Sequence, residues 1–73
     1  MKIGIICAGD EELEPFLPII ENCKITEKAM LKFYEGTING IEVVTLFSGV
    51  CKVNAAIATQ ILIDSFNVNI IIN

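Results

Sequence analysis

The run Lys2-Ile3-Gly4-Ile5-Ile6-Cys7-Ala8 is apolar almost throughout, closes on a small residue, Gly9, and is followed at once by Asp10-Glu11-Glu12. It is far shorter than the roughly 18 apolar residues a membrane helix needs. A short continuous apolar run of this kind reads as a strand buried on both faces of a parallel sheet. Open α/β sheets bind their ligands just beyond the carboxyl ends of such strands. The turn at residues 8–12 therefore offers carboxylates to whatever occupies that crevice. The run Ile70-Ile71-Ile72-Asn73 repeats the buried-strand pattern with no chain after it. The whole reads as the first part of an enzyme.

The 73 residues allow one small domain, 1–73, and the pattern is that of an incomplete α/β domain. A chain of this length buries only about 60% of its unfolded surface, so it is marginal without staples or partners. Yet it is 53% hydrophobic and 19% charged, with a mean hydropathy of +0.66, the profile of the interior of a larger α/β domain. Exposed apolar patches of that kind associate, which points to packing against further chain, against copies of itself, or both. The net charge is −4 and arginine is absent; five lysines scattered along the chain make no basic stripe, which argues against nucleic acid as a partner. Cys7, Cys23 and Cys51 are an odd number without paired spacing, and there is no histidine, so the chain reads as a reduced cytoplasmic protein without a zinc site. Nothing at the N-terminus resembles a signal peptide and no segment suits a membrane.

Beyond the first strand, Leu13, Phe16, Leu17 and Ile20 fall at i, i+3, i+4 and i+7, one face of a helix over residues 11–22, with Asp10 as its N-cap and Pro18 a point of kinking. Residues 25–47 read as β structure. Met30–Ile38 and Ile41–Phe47 are strands joined by Asn39-Gly40, the strongest short hairpin signal. The second of these is mostly apolar toward its end, which sends it into the core of the sheet. Ser48-Gly49-Val50 is a second strand-to-helix turn, leading into a helix over Lys52–Phe66 that is apolar around much of its girth. Val68–Ile72 is the final strand. The order is β-α-β-β-β-α-β in a mixed sheet, with crossovers of the right length for parallel pairing.

Asp10, Glu11 and Glu12 admit two readings. Carboxylates at a helix start interact favourably with its dipole, by a few tenths to about 1 kcal/mol each. Alternatively one of them points into the crevice as a general base that takes a proton from water. The Ser48-Gly49-Val50 turn stands beside them if its strand pairs with the first. Neither turn is a phosphate cradle, since the chain has neither GxGxxG nor GxxxxGK[ST]. A magnesium site on Asp10, Glu11 and Glu14 is weakly supported, because acidic runs are usually solvated.

Taken in order, Met-Lys-Ile-Gly-Ile-Ile at the start, Glu12, Tyr34-x-Gly36, Asn39-Gly40, Ser48-Gly49-Val50-x-Lys52-Val53-Asn54-Ala55-Ala56 and Ile71-Ile72-Asn73 resemble the N-terminal third of the methylthioadenosine/S-adenosylhomocysteine nucleosidases, within the nucleoside phosphorylase superfamily. The resemblance covers nearly all 73 residues without a gap. It implies the N-terminal portion of a nucleoside-phosphorylase-like three-layer α/β fold. It also implies hydrolysis of the N-glycosidic bond of an adenine thio-nucleoside in methionine salvage, by a cytoplasmic homo-oligomer, a dimer, that uses no cofactor and no metal. Glu12 matches the residue that activates water, and Ala8, Gly9 and Val50 match positions lining the substrate. The family's general acid and its ribose-gripping glutamate come late in the chain, beyond residue 73. Three positions depart from the family pattern: Gly9 replaces a larger apolar residue, and Cys7 and Cys51 replace glycines. Two other readings compete. One is a phosphate-dependent nucleoside phosphorylase, disfavoured because those relatives grip phosphate with arginine. The other is a non-catalytic, self-associating α/β piece, the expected behaviour of these 73 residues by themselves, since catalytic groups act as a unit.

Overall fold

Parallel pairing of two apolar strands organises everything else. In the computed structural model, which describes residues 1–9, 14–49 and 52–73 (backbone only at 52 and 53), β1 (Lys2–Cys7) lies beside β4 (Ile41–Phe47) in parallel register from Lys2↔Glu42 to Cys7↔Phe47. On the far side of β4, β3 (Leu31–Ile38) and then β2 (Glu21–Lys28) continue antiparallel; on the far side of β1, β5 (Ile70–Ile72) adds in parallel. The result is one mixed five-stranded sheet, ordered β2-β3-β4-β1-β5. A single α-helix occurs among the described residues, α1 (Lys52–Phe66).

β4 is central, as its apolar second half predicts: Val43, Val44, Thr45 and Leu46 are all buried. Strand alternation sends Val44 and Leu46 to one face with Ile6 and Phe33. There α1 lays Ala58, Leu62 and Phe66 against them to make the core. The Phe33 and Phe66 rings stack with centroids 5.1 Å apart. At the rim of this core the Lys2 ammonium pairs with Glu35 and sits 5.9 Å from the centre of the Phe66 ring. Asn67 ends the helix in the left-handed conformation (φ 56), and the Val68 N–H then donates to the Leu62 carbonyl.

Both hairpin connections have two residues. Asn39-Gly40, with φ of 51 and 81, joins the paired Ile38 and Ile41 as the sequence predicts. Ala29-Met30, with φ of 52 and 65, does the same between Lys28 and Leu31, although neither residue favours that conformation.

The helix expected over residues 11–22 is replaced, in its described part, by a turn at 14–16 and one 3-10 turn, Leu17–Ile19. Pro18 supplies no N–H and so cannot continue a regular helical ladder, and Ile20 is already extended at ψ 119. The chain runs straight on into β2, which therefore starts at Glu21 rather than Ile25. Ile20 is buried by this path. It sits on Gly36, where a Cβ would collide with Ile20 Cγ2 and stand 2.5 Å from the Glu21 carbonyl oxygen. Gly36 lacks a side chain because this segment crosses over it.

Candidate functional site

Because β1 and β4 are parallel, their carboxyl ends lie side by side at one end of the sheet, and the turns that follow them start together. The ladder runs one step past the strands: the Ser48 N–H donates to the Cys7 carbonyl at 2.9 Å. This bond ties the segment that follows β4 at Ser48 to the end of β1 at Cys7. Ala8 is exposed and Gly9 half-buried above the tip of β1. Glu12 and Val50, and with them Asp10, Glu11 and Cys51, lie outside the described residues.

Near the carboxyl end of β4 stand two buried polar residues that periodicity alone does not announce. Thr45 and Ser48 are the buried polar residues of the chain's described part. Thr45 Oγ1 lies 4.0 Å from Cys7 Sγ on the face away from α1, and Ser48 Oγ donates to the Gly49 carbonyl at 3.2 Å. Thr45 sits in a run of β-branched and apolar residues and reads there as one more strand former. Its burial follows from the central position of β4, which is a tertiary fact. No buried side-chain nitrogen or oxygen among the described residues lacks a partner.

The two glycines at the crevice differ in kind. Gly49 has φ +77, a conformation side chains resist, while a Cβ on it would meet nothing within 4 Å. Its requirement is conformational. A Cβ at Gly9 would likewise meet nothing within 4 Å. Beside Ser48 and Gly49 an open groove of about 480 Å³ is lined by Lys32 and Tyr34 of β3, Phe47 of β4 and Asn54 of α1, among others. Tyr34 and Asn54 belong to the motifs that carry the resemblance; Lys32 and Phe47 have no signal in the sequence beyond their strands.

Among the described residues no three His, Cys, Asp or Glu side chains cluster in a way that would hold a metal ion. No helix among them is long and apolar enough to cross a membrane.

Comparison with known proteins places this geometry. The family model of the phosphorylase superfamily matches residues 2–73. The 5′-methylthioadenosine/S-adenosylhomocysteine nucleosidase of Halalkalibacterium halodurans is 51% identical over 72 residues, spanning 99% of this chain and 31% of that one. The chain thus spans about a third of the length of the curated relatives it matches. Among solved structures, the nucleosidase of Colwellia psychrerythraea, in complex with adenine, superposes with a TM-score of 0.93 at 42% identity over 97% of this chain and 29% of its own. The Streptococcus pneumoniae enzyme, bound to a transition-state inhibitor, gives 0.92 at 38% identity over 97% of this chain and 31% of its own. The sheet order and the single helix described above are therefore those of an α/β nucleoside-phosphorylase-like fold.

Proposed function

The chain belongs to the phosphorylase superfamily, and on that premise we propose that it is the portion of a methylthioadenosine/S-adenosylhomocysteine nucleosidase that presents the water-activating carboxylate. The observation that carries this reading is the match to such nucleosidases along essentially the whole chain, in sequence and in backbone. The pairing of the β1 and β4 tips supports it, since the chain leaves these two strands, toward Glu12 and Val50 in sequence, from adjacent points.

On this reading, cleavage proceeds through a sugar that becomes cation-like as its bond to adenine lengthens, so carboxylates and protonation of the leaving base both lower the barrier. Glu12 accepts a proton from water as the water oxygen bonds to the sugar's anomeric carbon. The electron pair of the broken carbon–nitrogen bond leaves with adenine, which takes a proton from a carboxylic acid supplied by the part of the protein outside these residues. Ala8, Gly9 and Val50 line the sugar and its thioalkyl substituent. Such chemistry uses carboxylates alone, with no cofactor. Water rather than phosphate is the nucleophile, in keeping with the absence of arginine. The odd number of cysteines in the sequence suits the cytoplasm, the two nucleosides in the relatives' names suit a place in methionine salvage, and the exposed apolar surface suits a homo-oligomer.

The test is adenine release from methylthioadenosine by the intact protein. Glu12→Gln keeps the shape and removes the base, and is expected to lower kcat by a factor of about 100 or more. An intact Glu12→Gln protein with undiminished turnover would overturn the mechanism. The 73 residues alone are expected to release no adenine, because a lone base without its acid partner contributes little.

A further inference from the structure

Antiparallel pairing of β3 with β4 brings two further strand ends to the end of the sheet where β1 and β4 stop. Phe33 stands opposite Leu46, so Lys32, one residue earlier in β3, comes level with Phe47 at the last position of β4. β2 finishes there too, with Glu27 directly opposite Lys32. Phe33 and Leu46 belong to the α1 core, and strand alternation therefore puts Lys32, Tyr34 and Phe47 on the other face, with Thr45. Glu27, Lys32, Tyr34 and Phe47 line the groove of about 480 Å³ together with Ser48 and Gly49, a volume in the range of small-molecule sites. Gly49 is the residue before Val50.

The groove holds both signs of charge side by side. Residues directly opposite on an antiparallel pair have Cβ atoms about 4.5–5.5 Å apart. Yet Glu27 and Lys32 do not pair with each other; among the described residues the ion pair is Lys2–Glu35. A carboxylate and an ammonium placed so close, each without a charged partner among the described residues, suit a ligand that carries the complementary pair on one carbon, an α-amino acid zwitterion. Such a group is neutral overall, so the chain's net charge of −4 does not repel it. The rings of Tyr34 and Phe47 offer apolar surface to the methylene groups leading to it. The two nucleosides in the relatives' names differ in this respect: one carries a methyl group on its sulfur, the other the amino acid homocysteine. We propose that the groove receives the amino-acid end of S-adenosylhomocysteine, with Lys32 facing its carboxylate and Glu27 its ammonium, so that these two residues set the preference between the two nucleosides. This rests on the functional reading above, in which Val50 lines the thioalkyl substituent. A methyl group has no charge for either residue to meet.

The experiment measures adenine release by the intact protein from S-adenosylhomocysteine, from methylthioadenosine and from an analogue with an uncharged butylthio tail. Lys32→Met and Glu27→Gln, both at exposed strand positions, keep the side-chain length and remove the charge. Each is expected to lower kcat/KM for S-adenosylhomocysteine relative to methylthioadenosine by about three- to fivefold, chiefly through KM, the size of one solvent-accessible charge contact. The same ratio taken for the butylthio analogue is expected to stay where it was. Lys32→Arg keeps the charge and is expected to keep the S-adenosylhomocysteine ratio. An unmoved ratio in Lys32→Met and Glu27→Gln, an equal fall for the butylthio analogue, a fall in Lys32→Arg as large as in Lys32→Met, or turnover of methylthioadenosine without turnover of S-adenosylhomocysteine overturns the assignment of the groove and leaves adenine release itself standing. No adenine release from any of the three by the wild-type protein removes the nucleosidase reading, and this one with it.

Discussion

The two faces of the sheet solve the same packing problem to different extents. Toward α1, Ile6, Phe33, Val44 and Leu46 meet Ala58, Leu62 and Phe66 in a core with every member at 6% exposure or less. Away from α1, closure is local: Ile20 lies over Gly36, and Val43, Thr45 and Cys7 are buried, but the β1–β5 side of that face is left half open. One face is therefore a finished interior supplied by a helix of 15 residues. The other is a partial interior whose lid, a single 3-10 turn and its extension, reaches only part of the way across.

Substitutions that separate the faces sharpen this contrast. The largest loss belongs to the finished core. Leu62 is fully buried and sits beneath Gly4, where an added Cβ would stand 3.0 Å from Leu62 Cδ1. Leu62→Ala is expected to cost about 2–5 kcal/mol, read as a fall in the urea midpoint or as outright loss of the folded baseline. Next comes the local lid. Gly36→Ala drives a methyl group into Ile20 and the Glu21 carbonyl, and overpacking of this sort costs about 1–3 kcal/mol. Pairing it with Ile20→Ala relieves only the side-chain half of the clash, so the double variant stays below wild type. Full recovery in that double variant would show that the Glu21 backbone is not held in place. At the smallest end, Ile72→Thr removes apolar surface that is already half in water and is expected to change stability by no more than about 0.5 kcal/mol. A loss comparable to that of Leu62→Ala would mean the open face is buried in solution, by another copy or otherwise.

A fourth prediction compares the two hairpins. Asn39-Gly40 and Ala29-Met30 adopt the same left-handed pair of conformations, but only the first uses residues that tolerate it. Replacing Ala29-Met30 by Asn-Gly is expected to raise stability by about 1 kcal/mol, measured by thermal or chemical unfolding. No gain would mean that Met30 contributes contacts that its 94% exposure does not reveal.

The same pair of turns shows what was legible. Asn39-Gly40 announces its hairpin because the residues themselves prefer positive φ, and β4 and α1 begin and end at the predicted residues. The Ala29-Met30 hairpin carries no such mark: its geometry is imposed by the pairing of β2 with β3. The spacing of Leu13, Phe16, Leu17 and Ile20 mimicked a helical face, yet two prolines and the demand for a residue over Gly36 drew the segment out into a 3-10 turn and a strand. At the crevice, the apolar run of β1 with its small-residue ending marked where the turn at 8–9 must sit. The buried hydroxyls of Thr45 and Ser48 were invisible, because burial of a polar residue depends on which strand becomes central.

The order of residues alone determined that β1, β4 and β5 would be strands, that Asn39-Gly40 would reverse the chain, and that residues 52–66 would be helical, since these follow from apolar periodicity and from the conformational preferences of single residues. Tertiary structure decided which strands became neighbours. It placed Ser48 within a hydrogen bond of Cys7 and set Ile20 over Gly36. Those outcomes depend on contacts between residues dozens of positions apart, and no local preference encodes such contacts.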